Sequence, residues 1–465
     1  MKSHIERYFV EGLAHASYLV VNGPHAVVVD PKRDIDDYIA FARSKDSEIV
    51  AILNTHPHAD FASGFQGLAG LTGASIHTSH LASVTYDHTP SRDGDIIKFG
   101  DAQIRILETP GHSPDSLSFL LEEDEHPVAI FTGDLLFVGD VGRPDLRDAD
   151  EDPDLLAKKL YDSLFNKVMN LPDEVLVYPA HGAGSLCGRA ISSTPFSTVG
   201  DERSNNWALQ IKDEDIFIKE MVSNLPDRPA YFSYEVGVNI KGASPFGELP
   251  PLKGLNPDEV SSAVAQGAVL IDTRTAGEFG AGHLPGSLNI GIQSHMFSTW
   301  VGFLVDGNAS IVLILSSDED KPRAQLELAR IGFDNIVGVI EEDDLPEAID
   351  QMTQVSACDL REWMKTGQVE QLVDVRTCGE RKAVQIEESK HIPLPTLVNK
   401  QNELDPMKTT VTVCGSGYRS TIAASQLAAS GFSKVYNLMG GMVAWEGRNC
   451  GCFESADMVY GGGGI

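Results

Sequence analysis

The sequence predicts a layered αβ fold in three successive domains, the first unlike the other two. Three observations carry this expectation. First, short apolar runs end in turns that bear His or Asp. Residues 49–53 lead into Thr55-His56-Pro57-His58-Ala59-Asp60-Phe61, residues 104–107 into Thr109-Pro110-Gly111-His112, and residues 128–131 into Thr132-Gly133-Asp134. Second, the chain repeats itself beyond Gly254. Leu270-Ile271-Asp272-Thr273-Arg274 returns as Leu372-Val373-Asp374-Val375-Arg376, and Ile331-Gly332-Phe333 is echoed by Ser430-Gly431-Phe432. The offset is about a hundred residues, the size of a whole domain and too long for a solenoid unit. Third, each copy alternates strand and helix signals, the pattern of a parallel sheet with crossover helices.

At 465 residues the chain exceeds a single hydrophobic core, and 42% apolar with 22% charged residues is the composition of ordinary globular protein. A formal net charge of −31 argues against neutralising a phosphate backbone, so nucleic acid is not an expected partner. Residues 1–7 hold no apolar leader and no later run is long enough to span a bilayer, so a cytoplasmic protein without a membrane partner is expected. The six cysteines are irregularly spaced, which gives neither a disulfide framework nor a zinc ribbon.

Along the first domain, residues 18–21 and 26–30 flank Asn22-Gly23, a hairpin signal. Residues 49–53 are short, continuous and rich in β-branched side chains, hence a buried strand. Imidazoles at i and i+2 lie on one side of an extended backbone, so the end of that strand can aim His56 and His58 at one point. Convergence of three strand ends with His56, His112 and Asp134 describes a metal site. A helix is expected over residues 154–169. The domain runs over residues 1–240, and Gly, Pro and Ser accumulate over residues 241–254, a linker.

The two copies occupy residues 255–348 and 355–450, followed by a Gly-rich tail, 451–465. In the second copy the strand 410–413 ends in Cys414, and Gly415-Ser416-Gly417-Tyr418-Arg419 precedes a helix over 420–430. Such a loop curls backbone N–H groups around the sulfur, and the helix N-terminus adds positive potential; both favour the nucleophilic thiolate. Arg419 supplies a cation for an anionic sulfur oxyacid. The first copy has no cysteine between Gly188 and Ala357, and its equivalent loop, Ser316-Ser317-Asp318-Glu319-Asp320, is acidic. It is expected to be a catalytically silent spacer or docking module. Cys358 and Cys378 are read as structural, Cys450 and Cys452 as part of the tail, and His391 as a turn residue.

The words Thr55-His56-Pro57-His58-Ala59-Asp60, Thr109-Pro110-Gly111-His112, Phe131-Thr132-Gly133-Asp134 and Tyr178-Pro179-Ala180-His181-Gly182 resemble the metallo-β-lactamase superfamily, in its persulfide dioxygenase and glyoxalase II branch. Gly142-Arg143-Pro144-Asp145 is similar to the persulfide dioxygenase version, and the repeats resemble rhodanese domains. The resemblance spans nearly the whole chain and implies an αββα sandwich followed by two rhodanese-like α/β domains, a persulfide dioxygenase–rhodanese fusion.

By that resemblance His56, His112 and Asp134 hold one Fe(II), a facial triad with open coordination positions. His58 is expected to hydrogen-bond nearby, Asp60 to hold a ligand imidazole or its water, and His181 to orient water or substrate or to cap a loop. Arg143 steadies its loop near the metal or substrate, while Tyr178 and Cys187 pack. The implied reaction is oxidation of a small persulfide (of glutathione, coenzyme A or bacillithiol) by O2 to sulfite. Cys414 and Arg419 then pass sulfur among persulfide, sulfite and thiosulfate, and the family implies a homo-oligomer. The alternative is a thioester hydrolase of the glyoxalase II type, whose second zinc would draw on Asp60, residue 61 and His181. Phe61 departs from the family pattern and cannot coordinate a metal, which favours the mononuclear reading.

Overall fold

The structure, a computed structural model, describes residues 2–146, 152–223, 225, 228–229, 231–346 and 349–447. It divides into two compact units, Met1–Pro250 with Leu328–Gly332, and Pro251–Glu327 with Phe333–Ile465.

In the first unit the strands are β1 (His4–Val10), β2 (His15–Asn22), β3 (His25–Val29), β4 (Glu48–Leu53), β5 (Ser75–Ser79), β6 (Thr89–Ser91), β7 (Ile96–Phe99), β8 (Ala102–Glu108), β9 (Leu117–Glu123), β10 (His126–Gly133), β11 (Leu136–Phe137), β12 (Asp140–Val141), β13 (Leu176–Pro179) and β14 (Ser197–Thr198). The helices are α1 (Asp36–Ser44), α2 (Phe65–Thr72), α3 (Pro153–Asp162), α4 (Val199–Asn205), α5 (Glu214–Val222) and α6 (Phe232–Lys241). One sheet runs β1-β2-β3-β4-β5-β6 and the other β14-β13-β10-β9-β8-β7.

Side-chain alternation explains the layers. Val27 and Val29 of β3 point into a core shared with Phe119 of β9 and Phe131 of β10, between the two sheets. Their neighbours Ala26 and Val28 face the other way, against Tyr38 and Ala42 of α1 and Leu68 of α2. On the far side Leu120 and Ile130 pack against Ala157 and Leu160 of α3 and Phe217 of α5. Helices therefore cover both outer faces of two stacked sheets, the expected αββα sandwich. The hairpin also forms as expected, with Asn22 paired to His25 and Gly23 at φ +57°.

The helix expected over 154–169 is broken. The α-helix ends at Asp162, and a π-turn, Ser163–Lys167, and a 3-10 turn, Val168–Asn170, follow. Within the widened turn the Ser163 hydroxyl donates to the Pro110 carbonyl at 2.7 Å and Lys167 Nζ to the Glu108 carbonyl at 2.7 Å. The segment is thereby tied to the turn that carries His112. The expected linker also begins as structure: α6 runs to Lys241, and the Ser244 carbonyl accepts two hydrogen bonds from buried Arg33.

The second unit holds two parallel sheets. β15 (Val269–Asp272), β16 (Leu288–Asn289), β17 (Ile311–Leu315) and β18 (Ile336–Glu341) are ordered β16-β15-β17-β18. β19 (Gln354–Val355), β20 (Gln371–Asp374), β21 (Lys390–His391), β22 (Thr410–Val413) and β23 (Val435–Leu438) are ordered β19-β23-β22-β20-β21. The connecting helices are α7 (Pro257–Ala265), α8 (Ala276–Ala281), α9 (Phe297–Leu304), α10 (Lys321–Ala329), α11 (Ala357–Thr366), α12 (Cys378–Ala383), α13 (Leu397–Lys400), α14 (Tyr418–Ala429) and α15 (Gly441–Gly447).

The repeated words do the same work in both copies. Arg274 and Arg376 each clamp the aspartate two residues earlier, with Nη2 to Asp272 at 2.6 Å and to Asp374 at 2.7 Å. Thr275 with Glu278, and Thr377 with Glu380, close capping boxes at the starts of α8 and α12. Cys378, read as structural, is a free thiol exposed on the first turn of α12, which the Thr377–Glu380 cap holds without it. Cys450, Cys452 and the tail over 451–465 lie outside the described residues. Among the described residues no helix is long and apolar enough to cross a membrane.

Candidate functional site

The carriers of the expected metal site all leave strands at one edge of the sandwich. His56, His58 and Asp60 follow β4, His112 lies between β8 and β9, Asp134 follows β10 and His181 follows β13. The turn after β10 needs glycine: Gly133 sits at φ +53°, and a Cβ there would meet the Thr55 side chain at 2.7 Å. Gly142 is equally tight, since a Cβ would fall 1.9 Å from the Asp134 carbonyl.

His56, His112 and Asp134 do come together, each buried. Nε2 of His112 lies 3.6 Å and Nε2 of His56 3.9 Å from Oδ2 of Asp134. Oδ2 is buried and, among the described residues, has no hydrogen-bond partner. Donor atoms about 2.1 Å from one shared cation lie roughly 3–3.5 Å from one another, so this spacing with an orphaned carboxylate oxygen fits a metal ion.

His56 is oriented from behind. Thr55 donates its backbone N–H and hydroxyl to Asp30 at 2.8 and 2.9 Å, and the hydroxyl oxygen lies 3.0 Å from His56 Nδ1. Asp134 is held by His181, with Nδ1 at 2.7 Å from Oδ1, while Nε2 of His181 lies 2.7 Å from Asp60 Oδ2. Asp60 was expected to hold a ligand imidazole or its water; its Oδ2 lies against His181, which in turn meets the carboxylate of Asp134. The geometry makes His181 a bridge between two carboxylates rather than a loop cap. Burial alone would lower the His181 pKa, but Asp134 and Asp60 carry it well above the ordinary value. Burial would likewise raise the Asp134 carboxyl, yet His181, His112 and His56 hold it well below the usual range. His58 faces Asp30, with Nε2 at 3.3 Å from Oδ1, and shares a second donor cluster with Asp60 and His181.

Phe61 is 1% exposed and stacks on His15 with ring centroids 3.7 Å apart, and its ring lies 4.5 Å from that of His58. It is an aromatic wall beside the Asp60–His181 pair. Arg143 is buried and binds Asp145 at 3.0 and 2.7 Å, and its backbone N–H donates to the Cys187 carbonyl, joining two loops at the rim. Cys187, expected merely to pack, has its Sγ 4.0 Å from Asp60 Oδ2 and shares a donor cluster with Asp134 and His181. The Ser185 hydroxyl accepts the Cys187 backbone N–H, which draws this loop inward. Burial, with Asp134 and Asp60 nearby, pushes its thiol well up and keeps it protonated.

Three contributors escaped the sequence reading: Asp30, His15 and Asn239. The Asn239 amide donates to the carbonyls of His58 and Phe61 at 2.8 and 2.7 Å and accepts the Ser63 N–H at 2.9 Å, stapling the histidine loop to α6. Only Asp30 carried a local signal, as a carboxylate ending a run of buried valines. Asn239 sits in an unremarkable helical stretch, far from the loop in sequence.

In the second unit Cys414 is buried directly after β22. Its Sγ accepts the Gly417 N–H at 3.1 Å and the Ser420 hydroxyl at 3.3 Å. The expected cradle of Gly415, Ser416, Gly417 and Tyr418 thus contributes one amide to the sulfur as the loop stands, and Ser420 adds a donor. Gly417 at φ +102° reverses the chain so that α14 begins at Tyr418, two residues before the expected start. Arg419 does not lie open to an anion: Glu380 binds it through both terminal nitrogens. His391, expected in a turn, instead ends β21, and its Nε2 lies 2.8 Å from the Arg376 carbonyl.

Comparison with known proteins agrees with this geometry. The metallo-β-lactamase superfamily matches residues 10–181, and the rhodanese-like domain matches residues 256–343 and 356–448. The chain belongs to the metallo-β-lactamase superfamily and carries two rhodanese-like domains, the architecture of a persulfide dioxygenase–rhodanese fusion. It is 32% identical to the mitochondrial persulfide dioxygenase of Homo sapiens over 219 residues, 46% of this chain and 78% of that protein. It is also 32% identical to a hydroxyacylglutathione hydrolase of Francisella tularensis subsp. novicida over 179 residues, 38% of this chain and 67% of that protein. A crystal structure of a metallo-β-lactamase from Staphylococcus aureus subsp. aureus COL superposes with a TM-score of 0.66 at 29% identity, covering 73% of this chain and 99% of that one.

Proposed function

We propose that the first unit oxidises a low-molecular-weight persulfide with O2, and that Cys414 of the second unit carries sulfane sulfur between persulfide, sulfite and thiosulfate. The observation that carries the first half is the orphaned Oδ2 of Asp134 facing His56 and His112, beside an aromatic wall in place of a further imidazole. His56, His112 and Asp134 would hold one Fe(II). When bound, Fe(II) supplies open coordination positions through which a persulfide sulfur can deliver electrons to O2. The chain's own residues fix the site: Asp30 and Thr55 turn the His56 ring, and Asp60 and His181 hold the Asp134 carboxylate. In the adjoining corner, where a hydrolase would place a second zinc with its hydroxide, Phe61 stacks on His15 and offers no ligand beside His58, Asp60 and His181.

The overall balance is RSSH + O2 + H2O giving RSH, sulfite and two protons. Sulfur transfer then takes RSSH and sulfite to RSH and thiosulfate through a persulfide on Cys414. The Gly417 N–H and Ser420 hydroxyl that now point at Sγ stabilise its anionic form. Joining both sites in one chain raises the effective concentration of sulfite near its acceptor.

The reading is tested by loading the protein with iron under nitrogen, counting metal per chain, and assaying sulfite and thiosulfate from persulfides of glutathione, coenzyme A and bacillithiol. One iron per chain and oxygen-dependent sulfite support it. A hydroxyacyl-thioester hydrolase holding two zinc ions per chain would overturn it.

A further inference from the structure

Arg419 stands on the first turn of α14 with its guanidinium fork occupied. Nη1 donates to Glu380 Oε2 at 2.8 Å and Nη2 to Oε1 at 2.5 Å, and both side chains are partly buried. Glu380 is also the third residue of α12, where its Oε2 accepts the Thr377 N–H and hydroxyl, both at 3.0 Å. The silent copy keeps only the second of these jobs. Glu278 accepts from Thr275 N–H and hydroxyl at 2.8 and 2.7 Å, but Lys321, which stands five residues after Ser316 as Arg419 does after Cys414, pairs with Asp318 and Glu341 instead. Duplication has therefore separated helix capping from charge pairing, so the Arg419 contact is not a by-product of the cap.

A bidentate carboxylate cancels the net charge of a guanidinium while leaving its remaining N–H groups available. Asp374, the other carboxylate whose charge acts on Arg419, is itself taken up by Arg376 and Arg381. A dianion such as sulfite or thiosulfate entering beside Cys414 thus meets a neutralised pair instead of a bare cation.

We propose that Glu380 is a specificity-determining positioning residue, which acts through Arg419 to weaken the hold of the Cys414 pocket on dianionic sulfur oxyacids so that thiosulfate can leave. The proposal rests on the reading of Cys414 as sulfur carrier.

Glu380→Gln in the full chain tests it, because glutamine at this position retains the cap. With thiosulfate as donor and cyanide as acceptor, the KM for thiosulfate is expected to fall about 5- to 20-fold without a rise in kcat, the effect of removing one partly screened charge. Alkylation of Cys414, followed by peptide mass spectrometry, should show the rate ratio of anionic iodoacetate to neutral iodoacetamide rising by a similar factor. Glu278→Gln, which alters the same cap in the silent copy, should leave KM and ratio at wild-type values. A Glu380→Gln protein with unchanged or raised KM and an unchanged ratio overturns the proposal. Wild-type protein that takes no sulfur from thiosulfate or persulfide would refute the carrier reading, while the alkylation ratio would still report whether Glu380 sets the charge at Cys414.

Discussion

Replacing Asn239 by alanine probes how the histidine loop is held without touching any expected ligand. Asn239 is 2% exposed, and its amide makes three buried hydrogen bonds to the backbone of residues 58, 61 and 63. Removal leaves two carbonyls and one N–H unsatisfied, each worth about 1–3 kcal/mol when buried. Water entering the space vacated by the amide recovers part of this, so a net loss of about 2–4 kcal/mol is expected. His56 and Asp60 ride on the same loop, and loss of such a support typically weakens metal binding about 10- to 100-fold. Thermal unfolding of the iron-loaded protein and chelator competition for the ion read the two effects separately. Unfolding within about 0.5 kcal/mol of wild type, together with unchanged metal affinity, would refute the idea that α6 staples the loop.

Other perturbations follow from the same geometry. His181→Ala should uncouple Asp60 from Asp134 and reduce iron affinity about 10- to 100-fold, measured by the same competition, while leaving sulfur transfer at Cys414 intact. Gly142→Ala should displace the Asp134 carbonyl, which stands 1.9 Å from where the new Cβ would lie, and empty the site on dialysis. Cys414→Ser should abolish thiosulfate formation while O2 uptake with persulfide survives; loss of both activities in a folded variant contradicts separate sites. Burial raises the Glu380 pKa, but Arg419 and Thr377 bring it below the ordinary 4.5. Its stabilising contribution is thus complete above that value and lost as pH falls through the lower folded pKa. Glu380→Gln should accordingly flatten the acid limb of a stability-against-pH curve.

Much of the architecture was legible in the sequence because it rests on local signals. Strand ends with His or Asp, the Asn22-Gly23 turn and the repeated Asp-x-Arg words each specify their own geometry. The groups around the ligands were less legible, because they are set by tertiary packing. Nothing near Asn239 in sequence hints that it binds a loop about 180 residues away. Asp60 reads as a ligand or a ligand's partner, and only folding places His181 between it and Asp134. The break after Asp162 likewise arises from bonds to Pro110 and Glu108, which helix periodicity cannot register. Arg419 reads as a free cation because its partner lies 39 residues earlier, in a helix cap.

The central claim is that three protein ligands hold a single redox-active ion able to bring persulfide and O2 together. It is tested most directly with an oxygen electrode, using protein loaded anaerobically with Fe(II) and given glutathione persulfide. The account predicts uptake of one O2 per sulfite formed, abolished by Asp134→Ala. Cleavage of a glutathione thioester by the zinc-loaded protein, with no oxygen uptake by the iron-loaded form on any persulfide, would contradict it.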